Sequence, residues 1–523
     1  MPGDPTATTG ATICHSGALS TVGAGRGLLI QLGATAQFTS AVVTLGWDAA
    51  REGTRSISLC GGRSGATARA EAVHCPRVTI FKAYDIRGIV PDQLDAALAE
   101  RIGRATARHI GAGNLAIGRD ARTHSPELHQ ALLHGVRDEG VDVIDLGLVS
   151  TPMLYHAVEK LGTGGGIMLT ASHNPGQYNG MKICGAHATP IGEASGLREI
   201  EELVAGIADE PPVADRGAVS QEDVRASYVD HVLSVGGGSP KLKVAIDCGN
   251  GMASVGLEPL LERLDLEVER LYFEPDGTFP NHEADPLKLE NLADVGAAVK
   301  RVGADFGVAF DGDADRAVFV DGRGEPISSD LVTCLLARRV LAREPGATVL
   351  YDLRSSRVVA EEIEAAGGIA RMCRVGHSFV KAQMRQEDAA FAGELSGHFY
   401  FRFTPTLVAD DGIAALVALL DVLAEAGRPL AELIDPLRRY SASGEINRRV
   451  DDVAGLLSAI EAEHADAPDV SHLDGLLVRY PEWWFNLRPT NTEPVLRLNL
   501  EAADEASMTS KRDALLARIE AGV

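Results

Sequence analysis

Gly166-Ile167-Met168-Leu169 followed by Thr170-Ala171-Ser172-His173-Asn174-Pro175 is the stretch that decides how this chain is arranged. The first four residues form an apolar run, and the polar residues and proline that follow end it abruptly. An apolar run that stops in this way is typical of a buried strand leading into a loop. The pattern therefore predicts that Ser172 lies on a loop, where its hydroxyl is available for chemistry.

Similar strand-to-turn patterns recur along the chain and indicate parallel α/β layers. Residues 116–120, 244–248 and 349–353 each run from an apolar strand into a polar turn, and a helical pattern follows. Their spacing is on the scale of a domain, which indicates a weak internal repeat. Ligands of open α/β sheets gather at the carboxyl ends of such strands.

The last part of the chain has a different pattern. Glu445–Val450 is typical of an edge strand, residues 455–465 of a helix, and Val495–Leu500 of an antiparallel strand with one solvent-facing side. The fold class that we predict is α/β, with three α/β domains of mixed sheets and a C-terminal α+β domain. The predicted divisions are an extension at 1–76 and domains at 77–235, 236–328, 329–438 and 439–523.

Composition narrows the possible functions. The chain has 523 residues, too many for one core, and its 45% hydrophobic and 23% charged residues are typical of a soluble globular protein. A net charge of −24 disfavours binding to nucleic acid or to an anionic membrane, so a site for an anionic substrate must concentrate its cations locally. Seven scattered cysteines without a CxxC pair favour a reducing compartment, and we expect a cytoplasmic protein without a membrane span.

Residues 1–76 differ from the rest in being rich in Gly, Ala, Thr and Ser, with short apolar islands at 28–30 and 41–43. A signal peptide is disfavoured because Asp4 stands near the start and the first cation is Arg26. We expect a poorly ordered extension and assign it no function.

Asp311-Gly312-Asp313-Ala314-Asp315-Arg316 directly follows the apolar run at residues 306–310. Three carboxylates at alternate positions repel one another unless a hard cation neutralises them, and Mg²⁺ with oxygen ligands is the expected occupant. An EF-hand is excluded because Arg316 stands where that loop needs glycine and Gly322 where it needs glutamate. A solvated acidic turn is the alternative without a metal.

Ser172 and this acidic loop together suggest phosphoryl transfer. A phosphate on Ser172 would complete the coordination of the cation, and the cation would make that phosphate a better donor. An acyl-transfer serine is disfavoured because the chain has no G-x-S-x-G elbow, and a structural serine in a turn stays an alternative.

Cations and polar loops stand at other strand ends. Arg87, Arg119, Arg122, Lys182 and Arg374 are cations that such a site could use, although each could equally be a surface charge. Gly393-Glu394-Leu395-Ser396-Gly397-His398 brings a carboxylate suited to accept from sugar hydroxyls, or else forms a tight turn. Arg488-Pro489-Thr490-Asn491-Thr492-Glu493-Pro494 is a stiff loop suited to cradle a phosphate, or else a capped turn.

These loops, in this order, resemble those of the α-D-phosphohexomutase superfamily from about residue 78 to the end. The loop of Leu395 and His398 and the entry Phe81-Lys82-Ala83-Tyr84-Asp85-Ile86-Arg87-Gly88 are most similar to the bacterial phosphomannomutase/phosphoglucomutase group. The resemblance implies four domains around a central cleft. Three departures are noted: Ala314 and Thr490 stand where the family usually has Gly and Ser, and Arg374 where close members often have Lys, which changes the geometry of its expected phosphate contact.

The resemblance also implies roles for individual residues. Ser172 would be the phosphoserine and, with Asp311, Asp313 and Asp315, would hold the metal. The residues expected to be catalytic are Ser172, His173, Arg87, Lys182 and His398. Those expected to bind substrate are Tyr84, Arg316, Arg374, Glu394, Ser396, His398, Arg488, Thr490, Asn491 and Thr492.

The predicted function is that of an isomerase that interconverts hexose 6-phosphate and hexose 1-phosphate through a phosphoserine enzyme and a hexose 1,6-bisphosphate. We expect one Mg²⁺ per chain, the bisphosphate as activator, hexose phosphates as partners, no nucleic acid or membrane, and a monomer or homodimer. Three alternatives stay open: a phosphoglucosamine mutase, an aspartyl-phosphate phosphatase with Asp311 as nucleophile, and a silent sugar-phosphate sensor. Asp315, where that phosphatase class needs Thr or Val, disfavours the second.

Overall fold

The computed structural model describes residues 80–207, 210–236, 238, 241–490 and 495–522 and, as backbone, 42–46 and 56–60. The chain separates into two units, Met1–Val78 and Thr79–Val523. In the first unit β1 (Val42–Gly46) pairs antiparallel with β2 (Ser56–Cys60). The predicted poorly ordered extension at 1–76 otherwise lies outside the described residues, as does the apolar island at 28–30.

The second unit begins with a six-stranded sheet in the order β3-β7-β6-β4-β5-β8. Its elements, with α5 following the last strand, are β3 (Ile86–Ile89), α1 (Ala96–Ile110), β4 (Asn114–Arg119), α2 (Ser125–Arg137), β5 (Asp142–Leu148), α3 (Thr151–Leu161), β6 (Gly165–Leu169), β7 (Tyr178–Gly185), α4 (Leu197–Gly206), β8 (Val219–Gln221) and α5 (Arg225–Leu233). The apolar run before Ser172 is β6, which is buried throughout because it lies between β4 and β7 with helices on the sheet.

The second sheet has four strands in the order β10-β9-β11-β12. Its elements are β9 (Leu242–Asp247), α6 (Ala253–Leu261), β10 (Leu266–Leu271), α7 (Ala293–Val302), β11 (Phe306–Phe310) and β12 (Ala317–Asp321). The apolar run before the three aspartates is β11, and it too is buried at every residue.

The third sheet has five strands in the order β14-β13-β15-β16-β17. Its elements are α8 (Ser329–Arg343), β13 (Thr348–Asp352), α9 (Arg357–Ala365), β14 (Ile369–Cys373), α10 (His377–Glu387), β15 (Phe391–Gly393), β16 (Phe399–Arg402), β17 (Val408–Asp410), α11 (Gly412–Ala426) and α12 (Leu430–Ile434). Helix α11 is apolar along most of its surface, and it lies inside the largest hydrophobic cluster of the described residues.

These three sheets repeat one arrangement. Each has a first strand (β4, β9 or β13) between two parallel neighbours, and the inner neighbour (β6, β11 or β15) turns back as an antiparallel strand. The internal repeat predicted from the first strands therefore extends to the topology of whole sheets. Ser172, the three aspartates and Glu394 all lie in the loop that follows the inner neighbour, which we call the third-strand loop.

The last sheet is antiparallel, with the order β18-β23-β22-β21-β20 and with β19 paired to β23. Its elements are β18 (Ser441–Ala442), β19 (Ile446–Arg449), α13 (Val453–Glu463), β20 (Asp469–Ser471), β21 (Leu476–Arg479), β22 (Trp483–Pro489), β23 (Val495–Ala502) and α14 (Glu505–Ala521). The predicted solvent-facing side of β23 is wrong beyond Leu498, because Asn499 and Glu501 are buried. Glu501 Oε1 accepts hydrogen bonds from Trp484 Nε1 (2.8 Å) and from the backbone N–H of Arg357 (3.1 Å), so that this face packs on α9.

Within the described part of the chain, no helix combines the length and the apolar character needed to cross a bilayer. The thiols of Cys184, Cys248, Cys334 and Cys373 are free and buried, so these cysteines serve as small core residues.

Candidate active site

Ser172 lies in the third-strand loop of the first sheet, with 1% of its surface exposed. Its backbone is in the left-handed region (φ 52°), and its N–H donates to Thr170 Oγ1 at 3.0 Å. Its Oγ donates to Asp311 Oδ2 at 2.8 Å and lies 3.1 Å from His173 Nδ1. The loop therefore aims the hydroxyl away from its own sheet, at a carboxylate of the second sheet.

The close approach of the two loops explains a glycine between the aspartates. A Cβ on Gly312 would stand 2.5 Å from the carbonyl oxygen of Ser172, closer than any side chain allows. A larger residue at this position would separate Ser172 from Asp311.

Asp311, Asp313 and Asp315 are fully buried, and they offer carboxylate oxygens that lie within 4.8 Å of one another. Among the described residues, Oδ1 of Asp313 has no hydrogen-bond partner. Oδ1 of Asp315 also makes no hydrogen bond of good geometry among these residues, although it forms an ion pair with His398, whose Nε2 lies 3.4 Å away. Buried carboxylate oxygens without a donor are costly, and hard divalent cations take such ligands. The residues present therefore fit a bound divalent metal ion.

Lys182, expected at a strand end, lies instead within β7, from which its side chain reaches the same carboxylates. Its Nζ lies 2.7 Å from Asp313 Oδ2 and 2.5 Å from Asp315 Oδ2. Burial opposes the charged ammonium, but Asp313 and Asp315 outweigh burial and raise the pKa of Lys182. The lysine thus stays charged and offsets part of the negative charge of the cluster.

The charges around Ser172 shift the pKa values of neighbouring groups in opposite directions. Burial and the neighbouring carboxylates raise the pKa of Asp311 well above its usual range. Burial disfavours the ionised form of Asp315, but Lys182 and His398 reverse this and hold its pKa well below the usual range. Burial and the nearby cations hold the pKa of His173 well below its usual range, so its ring is neutral.

Two arginines border this cluster. Arg87 Nη1 donates to Asn174 Oδ1 of the Ser172 loop, and Arg87 is also paired with Asp85 at 2.8 Å. Arg316 Nε lies 3.2 Å from His398 Nε2 and 3.8 Å from Asp311 Oδ2. Arg316 and His398 join the loop of the three aspartates to the third-strand loop of the third sheet, and the two residues also form a backbone bridge.

Glu394 is held on both oxygens. Its Oε1 accepts from the backbone N–H of Gly376 (2.8 Å), and its Oε2 accepts from the Tyr400 hydroxyl and lies 3.2 Å from His398 Nδ1. Ser396 Oγ lies 3.0 Å from the same ring nitrogen. Burial raises the pKa of Glu394, but His398 lowers it more, to about 2; burial lowers the pKa of His398, but Asp315 and Glu394 raise it to about 9. This ion pair holds the side chains predicted to bind the sugar.

Tyr84 and Arg374 meet around one aromatic ring. The Tyr84 ring packs edge-on against Phe379 at 5.5 Å, and the Arg374 guanidinium lies over the face of the same ring at 4.0 Å. Tyr84 also donates to the carbonyl of Val375 at 3.2 Å. Both predicted substrate-binding residues therefore lie together, at the N-terminal end of α10.

Arg488 is the predicted phosphate ligand from the last sheet. Its guanidinium lies 3.4 Å from Glu445 and 3.9 Å from Asp474, and its Nε has no partner among the residues described. The backbone N–H of Thr490 donates to Val495 at 3.0 Å. Asn491 and Thr492 lie outside the described residues.

Two residues of this region escaped the sequence predictions. Arg354 is paired with Asp352 at 2.8 Å and lies 3.8 Å from Glu445, which it shares with Arg488. His377 is partly buried and stacks on His398 with ring centroids 6.4 Å apart. Both stand in strand-end turns that the sequence pattern identifies, so the turn was a usable signal, although it did not indicate which of its side chains matter.

The site combines the Ser172 hydroxyl, a cluster of buried carboxylates, several cations and the Glu394 carboxylate, which is fixed in place and could accept from sugar hydroxyls. This combination is that of a phosphoryl-transfer enzyme. The phosphoglucomutase/phosphomannomutase family models match the chain in order: alpha/beta/alpha domain I at residues 78–210, domain II at 226–324, domain III at 328–440 and the C-terminal domain at 445–518. The chain belongs to the phosphoglucomutase/phosphomannomutase family, so the predictions of fold class and of a phosphohexomutase-type isomerase are confirmed.

Individual relatives agree with this assignment. The chain is 41% identical over 439 residues to a protein of Xanthomonas campestris named phosphohexose mutases (83% of this chain, 97% of the relative). It is 40% identical over 437 residues to phosphomannomutase/phosphoglucomutase of Pseudomonas syringae (82% and 92%). Among solved structures, it is similar to a phosphoglucomutase/phosphomannomutase family protein of Burkholderia thailandensis, with a TM-score of 0.78, 35% identity and coverage of 84% of this chain and 97% of the other.

Proposed function

We propose that this protein interconverts the 6-phosphates and 1-phosphates of mannose and glucose, with Ser172 as the phosphoryl carrier. The observation that carries the proposal is the position of Ser172 Oγ, 2.8 Å from Asp311 at the cluster of three buried carboxylates. Relatives of about 40% identity that are named phosphohexose mutases and phosphomannomutase/phosphoglucomutase support the choice of substrates.

The proposed reaction has two transfers. In the first, the phosphoryl group leaves Oγ of phospho-Ser172 and forms a bond to the free hydroxyl oxygen of a hexose monophosphate, whose proton passes to a basic group of the site. The hexose 1,6-bisphosphate then reorients within the site, so that its other phosphoryl group faces Ser172. In the second, its other phosphoryl group returns to Ser172, and the released sugar oxygen regains a proton.

We assign the metal ion to Asp311, Asp313, Asp315 and an oxygen of phospho-Ser172, and oxygen ligands of this kind favour Mg²⁺. When bound, Mg²⁺ withdraws negative charge from the phosphoryl group. Lys182 offsets the charge of Asp313 and Asp315 at 2.7 and 2.5 Å and so favours the approach of an anionic substrate.

We assign the remaining residues by where they stand. His173, Arg87, Lys182 and His398 surround Ser172 and its carboxylates, and they would assist proton transfer. Arg316 lies between the carboxylates and His398, where it would contact the transferred phosphoryl group. Glu394 and Ser396 would accept from or donate to sugar hydroxyls.

The distal phosphate would bind at a second group of cations. Arg488 and Thr490, with Asn491 and Thr492, would hold it, and Tyr84 and Arg374 would close the site beside them. The partly unsatisfied guanidinium of Arg488 supports this assignment. We also propose the domain boundaries 77–235, 236–328, 329–438 and 439–523, since each range contains one sheet.

The test is a mutase assay of the purified protein on mannose 1-phosphate and on glucose 1-phosphate, with Mg²⁺ and a trace of hexose 1,6-bisphosphate. Comparable turnover of both sugars, dependent on the metal and stimulated by the bisphosphate, is the expected result. Turnover of glucosamine phosphate alone, or release of inorganic phosphate without isomerisation, would overturn the proposal.

A further inference from the structure

The Ser172 loop contains a local strain that something must offset. A residue other than glycine in the left-handed region costs about 1–3 kcal/mol, and such residues persist only where the surroundings hold them. Ser172, with φ 52°, is one of these residues. The hydrogen bond from its N–H to Thr170 Oγ1 fixes the N–H side of the residue but not its carbonyl.

Arg122 holds the carbonyl side. Its side chain is among the largest of those that are fully buried in the described residues. Nη2 donates to the carbonyls of Ser172 (2.8 Å) and Asn174 (2.6 Å), and Nη1 donates to the carbonyls of Pro175 (2.9 Å) and Tyr178 (2.9 Å). One guanidinium therefore bonds four carbonyls of the segment that carries the reactive serine.

The energies and the shape of the guanidinium both favour this arrangement. A hydrogen bond from a charged donor contributes about 1.5–3 kcal/mol, so even one of these bonds is comparable with the strain at Ser172. Arginine presents its N–H groups in a rigid planar fork, whereas lysine is a point charge with three donors. A lysine at this position could keep the charge but could not bond all four carbonyls.

Arg122 is itself fixed from both sides. Asp120 accepts from its backbone N–H at 3.1 Å and lies 3.2 Å from its Nε. The guanidinium also lies over the ring of Phe279, 5.1 Å from its centroid. Phe279 belongs to the segment between β10 and α7 of the second sheet. A Cβ on the neighbouring Gly277 would stand 2.3 Å from Arg122 Cα, so this segment can pack on Arg122 only because glycine is there.

From this geometry we infer that Arg122 is a positioning residue that holds Ser172 Oγ in line with the carboxylates of the second sheet. The inference rests on the proposed function of Ser172. Arg122 reaches only backbone carbonyls of the loop, so it acts on the reaction through the placement of Ser172. By sequence alone Arg122 is one of several cations that the site could use, but in the structure its two Nη groups are bonded to the loop.

The test compares Arg122→Lys with wild type and with Arg104→Lys. Arg104 is a matched control because it is also buried, is paired with Glu139 and donates to the carbonyls of Glu210 and Pro211, outside the Ser172 loop. A displacement of about 1 Å at a reacting group can cost about 100-fold in rate. We therefore expect Arg122→Lys to lower kcat about 100-fold, with KM for glucose 1-phosphate nearly unchanged, and Arg104→Lys to keep wild-type kcat.

Chemical rescue separates placement from general loss of structure. Guanidinium ion at low, non-denaturing concentration should restore part of the kcat of Arg122→Ala, whereas methylammonium, which lacks the planar fork, should not. If Arg122→Lys fails to fold, Asp120→Asn keeps the arginine but weakens its anchor, and we expect a smaller loss of kcat, about tenfold.

The failures are distinguishable. Wild-type kcat in Arg122→Lys, together with an inactive Ser172→Ala, would overturn the role of Arg122 and leave the proposed function standing. An active Ser172→Ala would overturn the proposed function itself. A KM rise without a fall in kcat in Arg122→Lys would mean that Arg122 acts on substrate binding, which also contradicts the inference.

Discussion

Each of the three α/β sheets has a turn after its first strand (β4, β9 or β13), which we call the first-strand turn, and a third-strand loop. The two kinds of segment use their polar residues differently. Asp120, Asp247 and Asp352 end the first strands, and each accepts from the backbone N–H two residues further on, at 3.1, 2.8 and 2.7 Å. The third-strand loops instead direct Ser172 Oγ, Asp311 Oδ2 and Glu394 Oε1 at residues of another sheet or of a neighbouring loop, although Asp311 Oδ1 also accepts from the backbone N–H of Arg316 in its own loop. The repeat thus separates a turn whose carboxylate bonds the backbone of the same turn from a loop to which we assign the proposed function.

A physical reason for this difference lies in the hydrogen bonds that each position needs. A first-strand turn opens into a helix, so a carboxylate there is best used on unpaired backbone N–H groups. A third-strand loop leads into an antiparallel strand that pairs with the strand before it. Among the described residues no helix begins in such a loop, so fewer of its side chains are needed to bond unpaired backbone N–H groups, and more of them can face other parts of the molecule. The four predictions below test this division, from the largest expected effect to the smallest.

The first prediction concerns Ser172. Ser172→Ala should lower mutase turnover by at least about a thousandfold, because the proposed phosphoryl carrier is removed. The measurement is the coupled mutase assay with bisphosphate present. The control is Ser227→Ala, which loses a hydroxyl that donates to the Val224 carbonyl and lies 3.0 Å from His156 Nε2. Wild-type turnover in Ser172→Ala would contradict the functional role of this loop.

The second prediction concerns the equivalent loop of the second sheet. Asp311→Ala should lower kcat by about 100-fold or more, because the proposed metal-binding cluster loses one carboxylate and Ser172 Oγ loses its acceptor. The Mg²⁺ concentration that gives half-maximal activity should rise as well. Unchanged kcat and unchanged Mg²⁺ dependence would show that the three aspartates form only a structural turn.

The third prediction makes the matched change at the first strand of the same sheet. Asp247 is as deeply buried as Asp311, but it accepts from Gly249 and His282 instead. Asp247→Ala should lower the free energy of unfolding by about 1–3 kcal/mol, because buried donors lose their partner. Urea denaturation measures this, and kcat of the folded variant should stay close to wild type; a loss of kcat as large as that of Asp311→Ala would erase the distinction between turn and loop.

The fourth prediction concerns pH and the same first-strand aspartate. The hydrogen bond from Asp247 raises the pKa of His282 above 6.5, although burial opposes this shift. The folded protein then binds this proton more tightly than the unfolded chain, so the stabilisation is complete below pH 6.5 and is lost as pH rises through the folded pKa. In His282→Gln this part of the pH dependence, less than about 1 kcal/mol, should disappear.

The measurement for the fourth prediction is the urea midpoint of both proteins from about pH 5.5 to about pH 8.5. This range begins about one unit below the usual histidine pKa and ends about two units above it. The difference between wild type and His282→Gln should shrink as the pH rises. A difference that is constant or grows with pH would contradict the sign of the shift.

The sequence by itself determined the third-strand loops. Apolar runs that end in Ser172 and in Asp311 are local patterns, and burial of the run on both faces of a sheet follows from its composition. The same local logic located the loop of Glu394 and the repeat of the first strands. These features need no knowledge of what packs against them.

Only the tertiary structure decided which polar residues face which partners. The sequence around Arg122 and around Asp247 is a polar turn after an apolar strand, like that around Asp311, so the local pattern does not tell these residues apart. The direction of each side chain depends on the sheet or segment that packs against the turn. Arg122 bonds a loop some fifty residues away along the chain, and the burial of Glu501 depends on Arg357 of α9, from another sheet. Contacts between residues distant in sequence are set by packing and hydrogen-bond satisfaction across elements, and no periodicity within one element records them.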